Sequence, residues 1–341
     1  MAFAACAAPA RLVTATAFDF MDTLSTIKLY ERDAAAAQRL FDRCRELDSL
    51  VDMHKPSSEI GRLNAANGAA VTISPDTQTL LNIGIEAARI SGGLLDITIG
   101  PVSSLWDFTN GNSDGSSDGT DSGTGSVNGN AANSSAIPDE TTLTAALSRV
   151  GISNLTVDDG SASITGGGLV DLGALAKGYA LDIVEESLTQ QGIANALVNL
   201  GGSVLTRGVQ TDGKPWRVGL QEPFGDANAL IGVIVGSNMK IVTAGVYERS
   251  FELDGLLYHH ILDPRTGFPV QTDVLSAAII ADSGVWADAY STICVLLGSS
   301  KALEFIESKE GAECILALED GSILTSSGIG TKVTFERARA E

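Results

Sequence analysis

Two Asp-Gly pairs constrain the fold of this 341-residue chain more than any other local feature. Asp254-Gly255 divides the run Phe251–Leu262, and Asp320-Gly321 divides the run Cys314–Thr325. An Asp-Gly pair between apolar runs is typical of the tight turn of a β-hairpin, because the turn needs residues that tolerate positive φ. Both runs are therefore predicted to form antiparallel hairpins.

Strands and helices alternate along the rest of the chain. Apolar runs predict strands over 18–30, 168–170, 194–200, 216–220 and 230–235. Helical periodicity and capping residues predict helices over 31–50, 74–90, 173–188, 285–297 and 302–309, with a further helix start at 137–139. This pattern predicts an α+β fold. A Gly-x-Gly-x-x-Gly motif after a strand, a Walker loop and a Gly-x-Ser-x-Gly elbow are all absent from the sequence.

The segment Thr109–Ser135 differs sharply from its surroundings. It consists of Gly, Ser, Asn, Asp and Thr except for Val127, Ala131 and Ala132. Such a segment cannot bury enough apolar surface to offset the entropy lost on ordering, so we expect a disordered insertion. Calcium-binding repeats have a similar composition, but the regular nonapeptide period is missing.

The formal net charge of −20 limits the possible partners. So acidic a surface repels nucleic acid and anionic lipid, and an anionic ligand would need local cations, backbone N–H groups or a metal. The four cysteines lack zinc-type spacing, and no apolar run reaches transmembrane length. The chain as it stands is expected to be cytoplasmic; an N-terminus trimmed ahead of Cys6 would instead indicate an extracytoplasmic lipoprotein.

The segment Val170–Asp182, VDLGALAKGYALD, predicts a strand, a turn and the start of a helix. Unpaired N–H groups at a helix start attract an anion, and Lys177 would add a positive charge for a phosphate. The alternative is an ordinary strand-turn-helix with a solvated lysine. The local sequence does not separate the two interpretations.

The segment Ala287–Gly298, ADAYSTICVLLG, predicts an apolar helix that contains Asp288 and Thr292. Their spacing of four residues places both side-chain oxygens on one helix face. A carboxylate among apolar residues is costly unless it is paired, hydrogen-bonded or bound to a metal, and such oxygens suit Mg²⁺. The alternative is an aspartate that hydrogen-bonds to a neighbouring backbone group.

Several segments together resemble one family. They are MDT at 21–23, SEIGRLN at 58–64, GGLLDITIGPVSSLW at 92–106, DLGALAKGYALD at 171–182, ALVNLGGS at 196–203, PWRVGLQEP at 215–223, TAGVYERSFELDGLLYHHILDPRTGFP at 243–269 and ADAYSTICVLLG at 287–298. With these motifs in this order, the chain resembles the bacterial ApbE-type FAD:protein FMN transferases from Phe18 to Leu324, apart from the insertion.

The resemblance implies a two-lobed α+β architecture of the tunnelling-fold type, in which FAD lies between the lobes. It implies a single domain over 18–330, with an N-terminal extension over 1–17 and the insertion over 109–135. The implied reaction is Mg²⁺-dependent transfer of FMN from FAD to a Ser or Thr of an acceptor flavoprotein. A phosphoester forms, AMP is released, and acceptors carry a motif similar to Asp-x-x-Ser/Thr-Gly-Ala-Thr. The alternatives are an FAD pyrophosphatase and a non-catalytic FAD-binding protein.

The resemblance also implies roles for individual residues. The magnesium ligands would be Asp288, Thr292 and the backbone carbonyl of Ala174, and the histidine important for transfer would be His260. The family varies the residue at the position of His259. The FAD contacts would be Met21, His54, Leu95, Asp96, Ile97, Asp171, Lys177 and Ile261. Three positions depart from the family pattern: His54 replaces a frequent aromatic residue, Ser203 replaces the usual Asp or Asn, and Asp107 replaces a frequent Gly after Trp106.

Overall fold

A computed structural model of the chain describes residues 11–21, 23–31, 35–108, 137–226 and 228–338. The predicted disordered insertion over 109–135 and the first ten residues of the predicted N-terminal extension lie outside these ranges. Residues 11–17, the rest of the predicted extension, belong to the first strand.

The helices of the described ranges vary from one turn to four turns in length. They are α1 (Ala36–Val51), α2 (Glu59–Ala65), α3 (Pro75–Ile90), α4 (Gly100–Ser103), α5 (Glu140–Leu147), α6 (Ala176–Gln190), α7 (Gly284–Leu297) and α8 (Ser299–Glu307). In the described part of the chain, none is both long and apolar enough to cross a membrane.

The strands are mostly short. They are β1 (Arg11–Phe20), β2 (Thr23–Glu31), β3 (Val71–Thr72), β4 (Leu155–Asp158), β5 (Ser161–Ile164), β6 (Ala196–Leu200), β7 (Ser203–Arg207), β8 (Trp216–Gln221), β9 (Leu230–Gly236), β10 (Met239–Gly245), β11 (Ser250–Leu253), β12 (Leu256–His259), β13 (Val274–Ala281), β14 (Ala312–Leu318), β15 (Ile323–Thr325) and β16 (Thr334–Arg337).

An eight-stranded sheet organises the fold. Its strand order is β1-β2-β6-β7-β10-β13-β14-β15, and every neighbouring pair is antiparallel. Smaller sheets have the orders β16-β9-β8 and β3-β5-β4, and β11 pairs with β12. Helices packed on an antiparallel sheet are the α+β architecture that the sequence predicts.

Both faces of the large sheet are covered. On one face, helix residues such as Leu40, Leu181 and Ile293 belong to the main core and are fully buried. On the other face, Ile241 of β10 packs in a smaller cluster with Ile234 of β9. Strand β13 lies between the two layers, so it is buried along almost its whole length and has no polar face.

Local turn and capping signals are confirmed. Strands β11 and β12 pair directly across Asp254-Gly255, whose φ angles are 52° and 75°. Helix α3 begins at Pro75, with the Ser74 hydroxyl accepting from the Thr77 N–H, and Asp139 caps α5 in the same way. These features depend on neighbours in the chain, which is why they are visible in the sequence.

Two predicted strands are wrong. Residues 18–30 form the end of one strand and most of the next, because the chain reverses at Met21, whose φ is 48°. Methionine is not a typical residue at positive φ, so no turn signal marks this reversal. Residues 168–170 do not form a strand, and Leu169 makes only an isolated bridge to Ile99.

Glu313, near the start of β14, is a buried carboxylate surrounded by donors. It accepts hydrogen bonds from Ser326 Oγ at 2.6 Å, Gly328 N at 3.0 Å and Lys332 Nζ at 3.0 Å. Burial alone would raise the pKa of Glu313, but these donors outweigh burial and hold its pKa below the ordinary value. The ionised carboxylate therefore ties β14 to the segment after β15.

Glu313→Gln is expected to lower the free energy of unfolding at pH 7 by about 1–3 kcal/mol, because buried donors lose a charged acceptor. The pKa of Glu313 is lower in the folded than in the unfolded state, so its contribution is present above the ordinary value of 4.5. It is lost as the pH falls through the folded-state value. Urea unfolding should therefore give a smaller difference from wild type at low pH, and an unchanged difference would contradict the assignment.

Candidate active site at the crossing of two helices

Helices α6 and α7 cross in direct backbone contact. A Cβ atom on Gly178 would lie 2.1 Å from the Gly284 carbonyl oxygen, and one on Gly284 would lie 2.3 Å from the Gly178 carbonyl oxygen. No residue larger than glycine fits at either position without moving a helix. The crossing brings the first turn of α6, including Lys177, against the first two turns of α7.

Asp288 is the residue of α7 that meets this first turn. It is 5% exposed, and its Oδ2 accepts a hydrogen bond from the Gly178 N–H at 2.8 Å. Burial raises the pKa of Asp288 to about 6, against the opposing effects of the Lys177 charge and the Gly178 N–H. The backbone hydrogen bond that the sequence left as an alternative is therefore present, yet the carboxylate remains poorly compensated.

The same hydrogen bond frees a backbone carbonyl. In a regular α-helix the Gly178 N–H would donate to the carbonyl four residues earlier, which belongs to Ala174. Here that N–H donates to Asp288, whereas Tyr179 still donates to Leu175. The Ala174 carbonyl is thus outside the helical ladder at the turn that faces Asp288.

Thr292 follows Asp288 by one turn of α7 and is partly exposed. Together with the Asp288 carboxylate and the Ala174 carbonyl it offers oxygen donors, which hard cations prefer. No group of three or more His, Cys, Asp or Glu side chains that could hold a metal occurs in the described ranges. A cation at this place would therefore have few protein ligands and would need other oxygens.

The two adjacent histidines have different environments. His259 is buried, its Nε2 lies 3.0 Å from the Val270 carbonyl oxygen, and its Nδ1 accepts from the Ile261 N–H at 3.3 Å. The Nδ1 of His260 is buried but has no hydrogen-bond partner among the described residues. Desolvation, together with the charges of Arg249 and Lys177, lowers the pKa of His260 to about 3. His260 is therefore neutral at pH 7, with one ring nitrogen unused by the fold.

Glu248 and Arg249 were not identified from the sequence as site residues. They follow the end of β10, and Glu248 acts on the pKa of Asp288 while Arg249 acts on that of His260. Glu248 is exposed, yet desolvation by the surrounding protein raises its pKa against the opposing charges of Lys177 and Arg249. The only sequence signal was a charged pair directly after an apolar strand, which is also common at ordinary strand ends.

The structure therefore brings four of the predicted site residues into one cluster with Glu248 and Arg249. They are Ala174, Lys177, His260 and Asp288. Gly178 and Gly284 were also missed, although the close approach of α6 and α7 depends on them.

Two predicted FAD contacts carry hydrogen bonds within the chain. The Asp171 carboxylate accepts from Ser103 Oγ at 2.8 Å and from the Gly173 N–H at 2.9 Å. The Asp96 carboxylate accepts from the Thr98 N–H at 2.8 Å and the Ile152 N–H at 3.0 Å. Both carboxylates thus stabilise turns of the fold.

The other predicted FAD contacts differ in exposure. Leu95, Ile97 and Ile261 are buried. Met21 is partly buried in the turn between β1 and β2, and His54 is exposed after α1. The buried residues can shape a flavin site by packing, whereas His54 is accessible for direct contact.

Ser203 holds an unusual position at the start of β7. Its side chain is buried, and its hydroxyl has no hydrogen-bond partner among the described residues. Ser203 follows Gly201-Gly202, where φ is 56° and 91°, so the glycines make the turn between β6 and β7. A buried hydroxyl without a partner is uncommon in folded proteins.

Comparisons with known proteins identify the family. The model of the ApbE family matches residues 21–316. An FAD:protein FMN transferase of Klebsiella pneumoniae is 31% identical over 305 residues and covers 88% of each chain. One of Treponema pallidum is 29% identical and covers 93% of this chain and 88% of that protein.

Solved structures agree in fold. The ApbE protein of Thermotoga maritima is similar with a TM-score of 0.79 and 28% identity, covering 93% of this chain and 97% of that one. The flavin transferase ApbE of Vibrio cholerae is similar with a TM-score of 0.77 and 26% identity, covering 94% and 98%. The ApbE architecture implied by the sequence resemblance is thereby confirmed, and the chain belongs to the ApbE family.

Proposed function

We propose that this protein is an Mg²⁺-dependent FAD:protein FMN transferase that attaches FMN through a phosphoester bond to a Ser or Thr of an acceptor flavoprotein and releases AMP. The observation that carries the proposal is the buried Asp288 carboxylate, held at the α6–α7 crossing by the Gly178 N–H, with the Lys177 charge acting on both Asp288 and His260. Membership of the ApbE family and the names of its curated relatives supply the reaction class.

The residues present fit a magnesium ion. Asp288 is buried with one hydrogen bond from Gly178 and too little compensating charge, and the Ala174 carbonyl and Thr292 hydroxyl add neutral oxygen donors. Mg²⁺ is usually held by one or two carboxylates, with waters and substrate phosphates in its other positions. When bound, the ion would neutralise charge on the pyrophosphate of FAD.

Lys177 and His260 have separate tasks in this proposal. Lys177, at the start of α6, presents a positive charge to the pyrophosphate of FAD. A protein with a net charge of −20 must supply such a charge locally. His260 accepts the proton of the acceptor hydroxyl as its oxygen attacks the phosphorus atom of the FMN half. The P–O bond to the AMP phosphate breaks, and AMP leaves with the bridging oxygen. An anionic pyrophosphate near His260 raises the pKa of the imidazole, which makes it a better base than in the free protein.

The direct test uses the purified protein with FAD, Mg²⁺ and a peptide bearing the acceptor motif. Mass spectrometry should detect FMN on the Ser or Thr of the peptide, and EDTA should abolish the adduct. FMN and AMP released without an adduct would instead identify a pyrophosphatase. Bound FAD without turnover would contradict both enzymatic functions.

His260→Ala is expected to reduce FMN transfer by about 10²–10⁴-fold, the range for loss of a general base. FAD binding, measured by fluorescence titration, should change much less because His260 acts on the acceptor. The neighbouring variant His259→Ala is the matched control. It loses backbone contacts, so it should lower the free energy of unfolding by about 1–2 kcal/mol with a smaller loss of transfer per folded molecule. Equal transfer losses in both variants would contradict the assignment.

A further inference from the structure

Helices α6 and α7 both lack a side-chain cap of their own. The residues that flank their N-termini, Leu175 and Ser283, make no capping hydrogen bond to the helix that follows. The first N–H groups of a helix have no partner within it, so a buried helix start needs an outside acceptor. In each of these two helices, the outside acceptor is an aspartate of the other helix.

The capping is reciprocal. Asp288 of α7 accepts from Gly178 N in the first turn of α6 at 2.8 Å. Asp182 of α6 accepts from Gly284 N at 2.7 Å and Val285 N at 2.9 Å in the first turn of α7. Each carboxylate follows a glycine of the crossing by four residues, one helical turn. Two hydrogen-bonded carboxylates thus flank the glycine contact and fix the position of one helix along the other.

Asp182 is itself held in place by a buried lysine. Lys240 Nζ lies 2.8 Å from Asp182 Oδ1 and 2.5 Å from Glu185 Oε2, and it donates to the Asp282 carbonyl at 2.7 Å. The Lys240 side chain is 7% exposed, and an ammonium group has three donors, all of which are used here. The contacts that run from β10 through Lys240 to Asp182 therefore restrict the movement of the N-terminus of α7.

We propose that Asp182 is a positioning residue for the metal site, acting through α7 on Asp288. By binding the first two N–H groups of α7, Asp182 fixes the position of α7 along α6. In this position Asp288 Oδ2 accepts the hydrogen bond from the Gly178 N–H. The other carboxylate oxygen could then bind a cation together with the Ala174 carbonyl. The inference rests on the proposed function, and it adds a residue that touches neither the cation nor FAD.

The test compares Asp182→Asn with wild type in the full chain. Asparagine keeps one acceptor oxygen but loses the charge that pairs with Lys240 and the second acceptor for the α7 N–H groups. The first measurement is Mn²⁺ binding by electron paramagnetic resonance without FAD, with Mn²⁺ as a probe of the Mg²⁺ site. The second is the Mg²⁺ concentration that gives half-maximal FMN transfer. Both affinities should fall by about 10–100-fold, the range for residues that orient metal ligands, and excess Mg²⁺ should restore part of the transfer.

Two controls separate positioning from loss of stability. Glu313→Gln removes a buried carboxylate on the sheet face opposite α6 and α7, the face on which its neighbours Ile280 and Ile315 lie, and it should lower stability without changing Mn²⁺ affinity. Glu185→Gln removes one charged partner of Lys240 but leaves Asp182 bound to the N–H groups of α7. The Mn²⁺ affinity of this variant should therefore stay within about threefold of wild type, well below the roughly tenfold loss expected when a positioning residue is removed.

The outcomes are distinguishable. Wild-type Mn²⁺ affinity in Asp182→Asn would overturn the positioning role, as would an equal loss in Glu313→Gln. If Asp182→Asn is too unstable to purify, Lys240→Met tests the same chain of contacts, and wild-type affinity there would also overturn the proposal. A wild-type protein that neither binds Mn²⁺ nor needs Mg²⁺ for transfer would refute the proposed metal site itself, and the positioning role with it.

Discussion

Asp288→Asn is expected to reduce FMN transfer by at least about 10²-fold if Asp288 holds magnesium as proposed, because a magnesium ion supplies several kcal/mol of charge stabilisation in the transition state. Asparagine has nearly the same shape and keeps an oxygen that can accept the Gly178 N–H. Only the negative charge is lost. Transfer should be measured over a wide range of Mg²⁺ concentrations. A variant that has lost a metal ligand binds Mg²⁺ more weakly, and adding more FAD does not correct this.

Stability should change in the opposite direction to activity. Asp288 is a buried carboxylate whose desolvation outweighs both its hydrogen bond from Gly178 and the charge of Lys177, so it opposes folding. The neutral variant is therefore expected to be at least as stable as wild type without metal. Thermal unfolding with and without Mg²⁺ checks this, and the variant should lose the metal-induced shift. Thr292→Val, which removes the neutral hydroxyl proposed as a ligand on the same helix face, should have a smaller effect. Mg²⁺-dependent transfer at the wild-type rate in Asp288→Asn would refute the metal site.

Gly178→Ala is expected to have the second largest effect. The added methyl group would lie 2.1 Å from the Gly284 carbonyl oxygen and 2.6 Å from the Asp288 Cβ. Backbone atoms cannot give way as a flexible side chain can, so α6 and α7 must separate. Overpacking of this kind costs about 1–3 kcal/mol, and alanine returns up to about 1 kcal/mol of helix propensity. Stability should therefore fall moderately, whereas transfer should fall by about 10²-fold because a displacement near 1 Å at the site is enough.

Gly328→Ala is the matched control for Gly178→Ala. Its Cβ would lie 1.9 Å from Glu313 Oε1, so it also overlaps a buried neighbour, here the end of a side chain held by three hydrogen bonds that would have to break. Glu313 lies at the start of β14, on the side of the sheet where β10 starts, whereas Glu248 follows the end of β10. Gly328→Ala should lose stability but keep its transfer rate per folded molecule. Similar losses of transfer in the two variants would show that the crossing has no special role.

The reaction centre was only partly predictable from the sequence. The spacing of Asp288 and Thr292 predicted two oxygens on one helix face, and the resemblance pointed to His260 rather than His259. The sequence did not reveal that both ring nitrogens of His259 are used by backbone groups, while the Nδ1 of His260 has no partner in the described part of the chain. That distinction depends on how the chain folds back after β12.

The sequence by itself determined those turns and helix ends of this protein that have a local signal. The Asp254-Gly255 hairpin and the caps at Ser74 and Asp139 depend on hydrogen bonds and backbone preferences within a few residues, so neighbours in the chain encode them. The tertiary structure alone decided that α6 and α7 meet glycine against glycine and that each helix caps the other across about a hundred positions of the chain. Such contacts form only when the large sheet has placed both helices on one face, because no local preference of Gly178 or Asp182 specifies a distant partner.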